Sequence, residues 1–223
     1  MINKYRELYK RNKVFGIIQP FITITTVTIV LGYYIYQMIN HNLNSSTLIE
    51  GLQALCTLIF VIGSYYLKDV LKVAIPDLLE TCYLSFAYIA LVGGNIFDLY
   101  SRFEHFDSFL HFFFGVLIAL FGYVTIDQLA KLQPFKMVIH KSVSAILVVM
   151  LALSVSSLWE MFEYFTDDLL DLNNQVYRTS VSELTNEDGL LLGHEALSDT
   201  IWDMFLGGLG AFSATLLYNK IGE

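Results

Sequence analysis

Three pairs of ionisable side chains stand at helical spacing beside the long apolar runs of this sequence. They are Asp107 and His111, Glu160 and Glu163, and Asp199 and Asp203. Residues three or four apart share one helix face, with Cβ atoms about 5–6 Å apart, so each pair could grip one ligand. Ionisable groups in or beside hydrocarbon are costly and usually serve a function, which makes all six candidate site residues.

Five carboxylates and one imidazole form an oxygen-rich donor set of the kind that binds Mg, Mn, Zn or Fe. Like charges held close together must be neutralised by protons or by a cation. We therefore predict a divalent metal ion held by Asp107, His111, Glu160, Glu163, Asp199 and Asp203. Glu160 and Asp203 are the predicted catalytic residues, because a carboxylate beside a metal-bound water can act as general base.

Structural roles for the same residues remain open at this point. Asp107 and Asp199 could be N-caps that accept hydrogen bonds from the first backbone N–H groups of their helices. Glu163 is followed by further acids and could reach water, whereas Glu160 and His111 could be buried residues that hydrogen-bond to neighbouring helices. Capping does not explain why each aspartate has an ionisable partner one turn deeper.

The elements that position these residues are predicted to be membrane-spanning helices. The chain of 223 residues is 55% hydrophobic and only 15% charged, whereas an average soluble domain carries about 25% charged residues. Several uncharged stretches approach or exceed the roughly 20 residues that cross a bilayer. We predict an all-α polytopic bundle, a single integral-membrane domain over 1–223, with helices near 16–39, 48–67, 79–97, 108–129, 142–164 and 199–219.

The distribution of Lys and Arg predicts the orientation, because cytoplasmic loops are enriched in them. Eleven of the 13 basic residues fall on one side of the predicted spans, and only Arg102 and Arg178 fall opposite. Both termini are therefore predicted to be cytoplasmic, and the three pairs to lie at the extracytoplasmic face of the membrane. The loop 166–198, rich in acids, is predicted to be a solvated lid on that face.

Other features are predicted to be structural. Gly207 with Ala211, and Gly210 with Ala214, are small-x-x-x-small pairs that let a helix pack closely on a neighbour. Cys56 and Cys82 lie in apolar spans without disulfide or metal-ligand spacing, and Glu80 is predicted to lie at the membrane interface. No nucleotide-binding fingerprint and no polybasic nucleic-acid footprint is present, so we expect membrane lipids rather than nucleic acid as partners.

At the ionisable pairs the chain resembles the YjdF-like family of predicted bacterial inner-membrane proteins. The resemblance rests on HFDSFLHFFFG (105–115), SSLWEMFEYF (156–165) and SDTIWDMFLGGLGA (198–211), whose order and spacing agree over roughly residues 90–215. It implies a polytopic membrane protein and supplies no reaction.

Two main classes of function follow. The first is a metal-dependent hydrolase or transferase that acts on a lipid or envelope precursor, with the metal activating a water or polarising the substrate. The second is a cation- or proton-coupled transporter. Two observations count against transport: these helices have no matching acids on their cytoplasmic half, and the chain shows no inverted repeat. A non-catalytic assembly factor stabilised by metal is a third reading.

Overall fold

A computed structural model describes residues 14–40, the single positions 51, 55 and 59, and residues 75–130, 139–170, 173–178, 190, 193–194 and 197–221. Over these residues the protein is all-α, as predicted, and its one β feature there is an isolated antiparallel bridge between Arg178 and Leu190. The predicted span 48–67 lies largely outside the described residues. The count of six spans and the single-domain organisation therefore stay predictions.

The described helices follow the apolar stretches of the sequence. In chain order they are α1 (Phe15–Ile39), α2 (Asp77–Tyr88), a π-helix (Ile89–Ile96), α3 (Leu99–Arg102), α4 (Phe106–Leu129), α5 (Lys141–Leu170) and α6 (Ser198–Ile221). Within the described part of the chain, α1, α4, α5 and α6 each contain a segment long and apolar enough to cross a membrane. Many of their large apolar side chains are exposed, for example Ile17 and Leu169, as expected for helices solvated by lipid.

The span predicted at 79–97 is two kinds of helix rather than one, since α2 passes directly into the π-helix. Two glycines in the π-helix leave room for the chain that follows it. A Cβ on Gly93 would lie 2.9 Å from Leu99 Cδ1, and one on Gly94 would overlap the Tyr100 ring. Asp98, with φ of 56°, makes the turn between the π-helix and α3. The sequence predicted the helix, whereas the change of pitch follows from this local packing.

The chain divides into two compact units. The first comprises Met1–Leu110 and Leu120–Val138. In it α1 packs on α2 and on the π-helix, with Val30 against Val92 in one buried cluster. Gln19 of α1 is buried and donates from Nε2 to the Asp77 carbonyl (2.9 Å) and to Thr81 Oγ1 (3.2 Å), which fixes α1 to the start of α2.

The second unit comprises His111–Ala119 and Ile139–Glu223. It contains α5 and α6, which pack along each other, and the middle part of α4. Since α4 continues through residue 110 without a break, the helix itself fixes the residues of its first turn relative to His111. The second unit carries most of the predicted site residues.

Candidate metal centre

Close backbone contact between α4 and α6 determines the geometry of the site. A Cβ on Gly115 would overlap the carbonyl oxygen of Gly207, and one on Gly210 would overlap the carbonyl oxygen of Phe112. Glycine at these positions therefore lets the two helices meet backbone to backbone, as small residues commonly do in membrane helices. The predicted packing role of Gly207 and Gly210 is confirmed, and Ala211 and Ala214 are buried beside them.

Helix α5 meets the same stretch of α6. A Cβ on Gly207 would overlap the Ser156 hydroxyl, and one on Gly208 would lie 2.8 Å from Leu153 Cδ2. The side chains of Ser157 and Met204 also meet, with Oγ 3.3 Å from Sδ. Gly207 is thus the point of α6 at which α4 and α5 both approach its backbone.

One helical turn from this contact, three ionisable side chains converge. On α4, His111 comes four residues before Gly115. On α5, Glu160 comes four residues after Ser156, and on α6, Asp203 comes four residues before Gly207. His111 Nδ1 lies 3.9 Å from Glu160 Oε1, and His111 Nε2 lies 3.8 Å from Asp203 Oδ2. The three residues are 6%, 3% and 3% exposed. The imidazole therefore lies between two carboxylates inside the protein.

Asp107 adds a further carboxylate, because it lies one turn before His111 on α4. One ligand atom from each of Asp107, His111 and Asp203 lies within 4.8 Å of the others, a spacing at which the three could hold a metal ion. Asp107 is not the N-cap of α4, since His105 takes that position. The alternative role of Asp107 as an N-cap is therefore wrong.

The distances favour a cation between these groups, or charge attraction alone, over direct hydrogen bonds. Separations of 3.8 and 3.9 Å exceed the usual 2.7–3.2 Å of an N–H···O bond. Two metal–ligand bonds of about 2.0–2.2 Å each could bridge such a gap. An imidazolium between two carboxylates is the metal-free alternative, and in both cases positive charge offsets the cost of burying the carboxylates.

Three of the six predicted ligands lie outside the group of three that could hold an ion. One of them, Glu160, faces His111, and the other two do not join the cluster. Glu163 is half-buried, and its Oε1 accepts a hydrogen bond of 2.9 Å from Trp159 Nε1 one turn earlier on α5. Asp199 is half-buried in the first turn of α6. The structure therefore brings together four of the six predicted residues: Asp107 and His111 of α4, Glu160 of α5 and Asp203 of α6.

A short segment after α5 is held against the site by contacts that no sequence pattern predicted. The Asp167 carboxylate is buried and accepts from the backbone N–H groups of Asn174 (2.9 Å) and Gln175 (3.0 Å). Gln175 Nε2 donates to the Glu160 carbonyl (3.2 Å) and to Thr200 Oγ1 (2.9 Å), so one side chain joins α5 to α6.

The described part of the predicted acidic lid is thus folded onto the helices. Val176, next in the chain, has a φ of 49°, a strained conformation for a β-branched residue. Asn173 and Arg178 exchange hydrogen bonds around it, from Asn173 Nδ2 to the Arg178 carbonyl (3.2 Å) and from the Arg178 N–H to Asn173 Oδ1 (2.8 Å). Residues 179–189 lie outside the described residues, and solvation of that part of the lid stays a prediction.

An apolar groove of about 300 Å³ runs along α5 and α6, on the helices that carry Glu160 and Asp203. It is lined by Val149, Leu153, Phe205, Gly208, Leu209 and Phe212. Phe205, Leu209 and Phe212 are exposed, and both helices contain candidate membrane spans. The groove therefore faces the hydrocarbon if the helices span the bilayer.

Comparison with known proteins gives one match. The model of a family of predicted membrane proteins, DUF2238, matches residues 21–222, which is nearly the whole chain. No curated protein and no solved structure matches the sequence.

Proposed function

The chain belongs to the DUF2238 family of predicted membrane proteins, and from that premise we propose that its buried cluster binds a divalent metal ion. The bound ion serves a hydrolase or transferase that acts on a lipid or envelope precursor. The observation that carries the proposal is the position of His111, with its two ring nitrogens facing Glu160 and Asp203 inside the bundle.

The arrangement favours distinct roles for the residues. Asp107, His111 Nε2 and Asp203 are the ligands, since their atoms lie within 4.8 Å of one another. Glu160 faces the other imidazole nitrogen at 3.9 Å and orients the ring by charge attraction, in the place where a metal-bound histidine usually has a carboxylate or carbonyl partner. Glu163 and Asp199 lie nearer the water side of the same helices and are not ligands.

An ion held by Asp107, His111 and Asp203 would activate a water molecule for attack on the phosphorus or acyl carbon of the substrate. Asp203 would accept the proton that this water releases, and the leaving group would take up the proton as its bond to the substrate breaks. Lipid is favoured because the groove on α5 and α6 is entirely apolar in character.

We place the cluster at the outer face of a bacterial inner membrane, in line with the resemblance to YjdF-like proteins. Support comes from the basic residues, because eleven of the 13 lie on the predicted cytoplasmic side of the spans, opposite the cluster. The exposed residues His140 and His194 are then on opposite faces. In a chain without its natural cysteines, an impermeant thiol reagent should label His194→Cys in intact cells and leave His140→Cys unlabelled; the reverse pattern would reject this orientation.

Cation or proton transport is a second candidate, favoured by one observation in the first unit. Glu80 was predicted to lie at the membrane interface, yet it is only 2% exposed, in the first turn of α2. A buried acid on another helix, at the predicted cytoplasmic end of its span, is the kind of group that a proton path requires. It weakens the argument against transport that the sequence provided.

One comparison separates the two functions. Untargeted lipid profiling of a deletion strain and of a Glu160→Gln strain should show the same accumulated lipid, because both lack the reaction. Proteoliposomes containing Glu160→Gln protein should retain whatever ion permeability the wild type has. The opposite result would be unchanged lipids in both strains and a cation or proton flux that is lost in both Glu160→Gln and Glu80→Gln protein. That result would reject the enzyme and favour the transporter.

A further inference from the structure

Ser156 is a buried polar residue at the contact between α5 and α6. Its side chain is 1% exposed, and Oγ has no hydrogen-bond partner among the described residues. Thr215 Oγ1 of α6 is also buried without a partner among the described residues, whereas several more exposed serines of these helices donate to a carbonyl one turn earlier. For example, Ser154 Oγ, two residues earlier, donates to the Met150 carbonyl at 2.8 Å. A buried hydroxyl without a partner is destabilising, and ordered water or an ion is the usual explanation.

The position of this hydroxyl connects it to the metal centre. Ser156 lies one turn before Glu160 on α5, so the two side chains lie on the same side of the helix. Its Oγ lies against Gly207 of α6, where a Cβ would overlap it. The carbonyl oxygen of His111, on α4, lies 3.8 Å from that same Cβ position. Ser156 therefore lies between the three helices, one helical turn away from the level of His111, Glu160 and Asp203.

The surroundings provide groups for a bound water molecule. A buried water typically makes about three hydrogen bonds to polar groups. The Ser156 hydroxyl can donate or accept, the His111 carbonyl accepts, and the carboxylates one turn above accept. Alanine at position 156 would fill the same backbone position and leave the water without its anchor.

We propose that Ser156 is a positioning residue whose hydroxyl holds a water molecule in the buried cluster. This water lies beside the metal ion and hydrogen-bonds to the ligands of the ion. This inference rests on the proposed metal site. It adds Ser156 to the four residues that the structure brings together at the site, and it makes water, rather than a protein group, the partner of the hydroxyl.

The test is the Ser156→Ala variant of the full-length protein in detergent or lipid nanodiscs, with Ser154→Ala as the matched control. Binding of Mg, Mn, Zn and Fe(II) is measured separately by the shift of Tm with metal concentration. We expect Ser156→Ala to bind the preferred ion about tenfold more weakly, as is typical when an outer-sphere partner is lost. Ser154→Ala should bind like the wild type, because its hydroxyl bonds only within α5.

The sign of the effect on the metal-free protein gives a second readout. If the hydroxyl holds water, Ser156→Ala lowers the Tm without metal; if it is simply unpaired, removing it raises the Tm. Unchanged metal affinity in Ser156→Ala would overturn the proposal even though the wild type binds metal. A wild type that does not respond to any of the four metals would instead overturn the proposed function, and the Tm of metal-free Ser156→Ala would then decide the role of Ser156 alone.

Discussion

At the scale of single residues, His111 is the centre of the site, because each of its ring nitrogens faces a different carboxylate. Nδ1 faces Glu160 and Nε2 faces Asp203, at 3.9 and 3.8 Å. Only one of the two nitrogens of a neutral imidazole carries a proton. If Glu160 holds the proton on Nδ1, the lone pair on Nε2 is directed to the ion. This division of roles distinguishes Glu160 from the other acid of its pair.

The two glutamates of α5 should therefore differ in their effect on metal binding. We expect Glu160→Gln to weaken the affinity for the preferred metal about 10- to 100-fold, the usual loss for an outer-sphere partner. Glu163→Gln should leave the affinity unchanged, because Glu163 is paired with Trp159 instead. Both affinities are measured by isothermal titration of the purified variants, and equal losses would restore the six-ligand set predicted from the sequence.

The sequence could predict the residue types of the site but only part of its membership. Helical spacing identified Asp107, His111, Glu160 and Asp203, because it reports which side chains share a face. The sequence favoured Glu160, predicted as catalytic, over Glu163, which is followed by further acids; the contact with His111 itself depends on which turn of α5 faces α4 and α6. Gln175 and Ser156 carried no local signal, and their contacts exist only once α5 and α6 are packed together.

At the scale of elements, small residues determine how closely the helices approach. Gly115 and Gly207 put the backbones of α4 and α6 in direct contact, one turn from His111 and Asp203. Gln175 joins α5 to α6 on the other side of these residues, through the Glu160 carbonyl and Thr200. The ionisable side chains thus lie between a glycine contact and a glutamine bridge, and both limit how far the helices can separate.

Gly115→Ala should destabilise the protein, because its Cβ would overlap the Gly207 carbonyl oxygen. Overpacking typically costs about 1–3 kcal/mol, and here the clash is with backbone, which adjusts less easily than a side chain. The control is Gly32→Ala on α1, where no described atom lies within 4 Å of the added Cβ; it should be neutral or stabilising by up to about 1 kcal/mol. Thermal unfolding of both variants checks this, and equal Tm values would argue against a close α4–α6 contact.

At the scale of the whole molecule, composition and charge distribution determine the class of protein. Long apolar runs and few charges predicted helices in a membrane, and the structure has four helices of that kind among its described residues. The family match over residues 21–222 agrees with this class. Two features lay beyond prediction: the π-helix after α2, which depends on the packing of its glycines against α3, and the burial of Glu80, which depends on contacts between helices.

The metal content of the purified protein shows whether the cluster holds a divalent metal ion. Wild-type protein extracted in mild detergent without chelators should contain about one equivalent of a divalent ion by elemental analysis. Asp203→Asn should lose most of it, and the same mild purification of His105→Ala, altered at an exposed histidine of the α4 N-terminus, should keep it. Wild-type protein without metal, with a Tm unchanged by added Mg, Mn, Zn or Fe(II), would contradict the account and leave His111 as an imidazolium between Glu160 and Asp203.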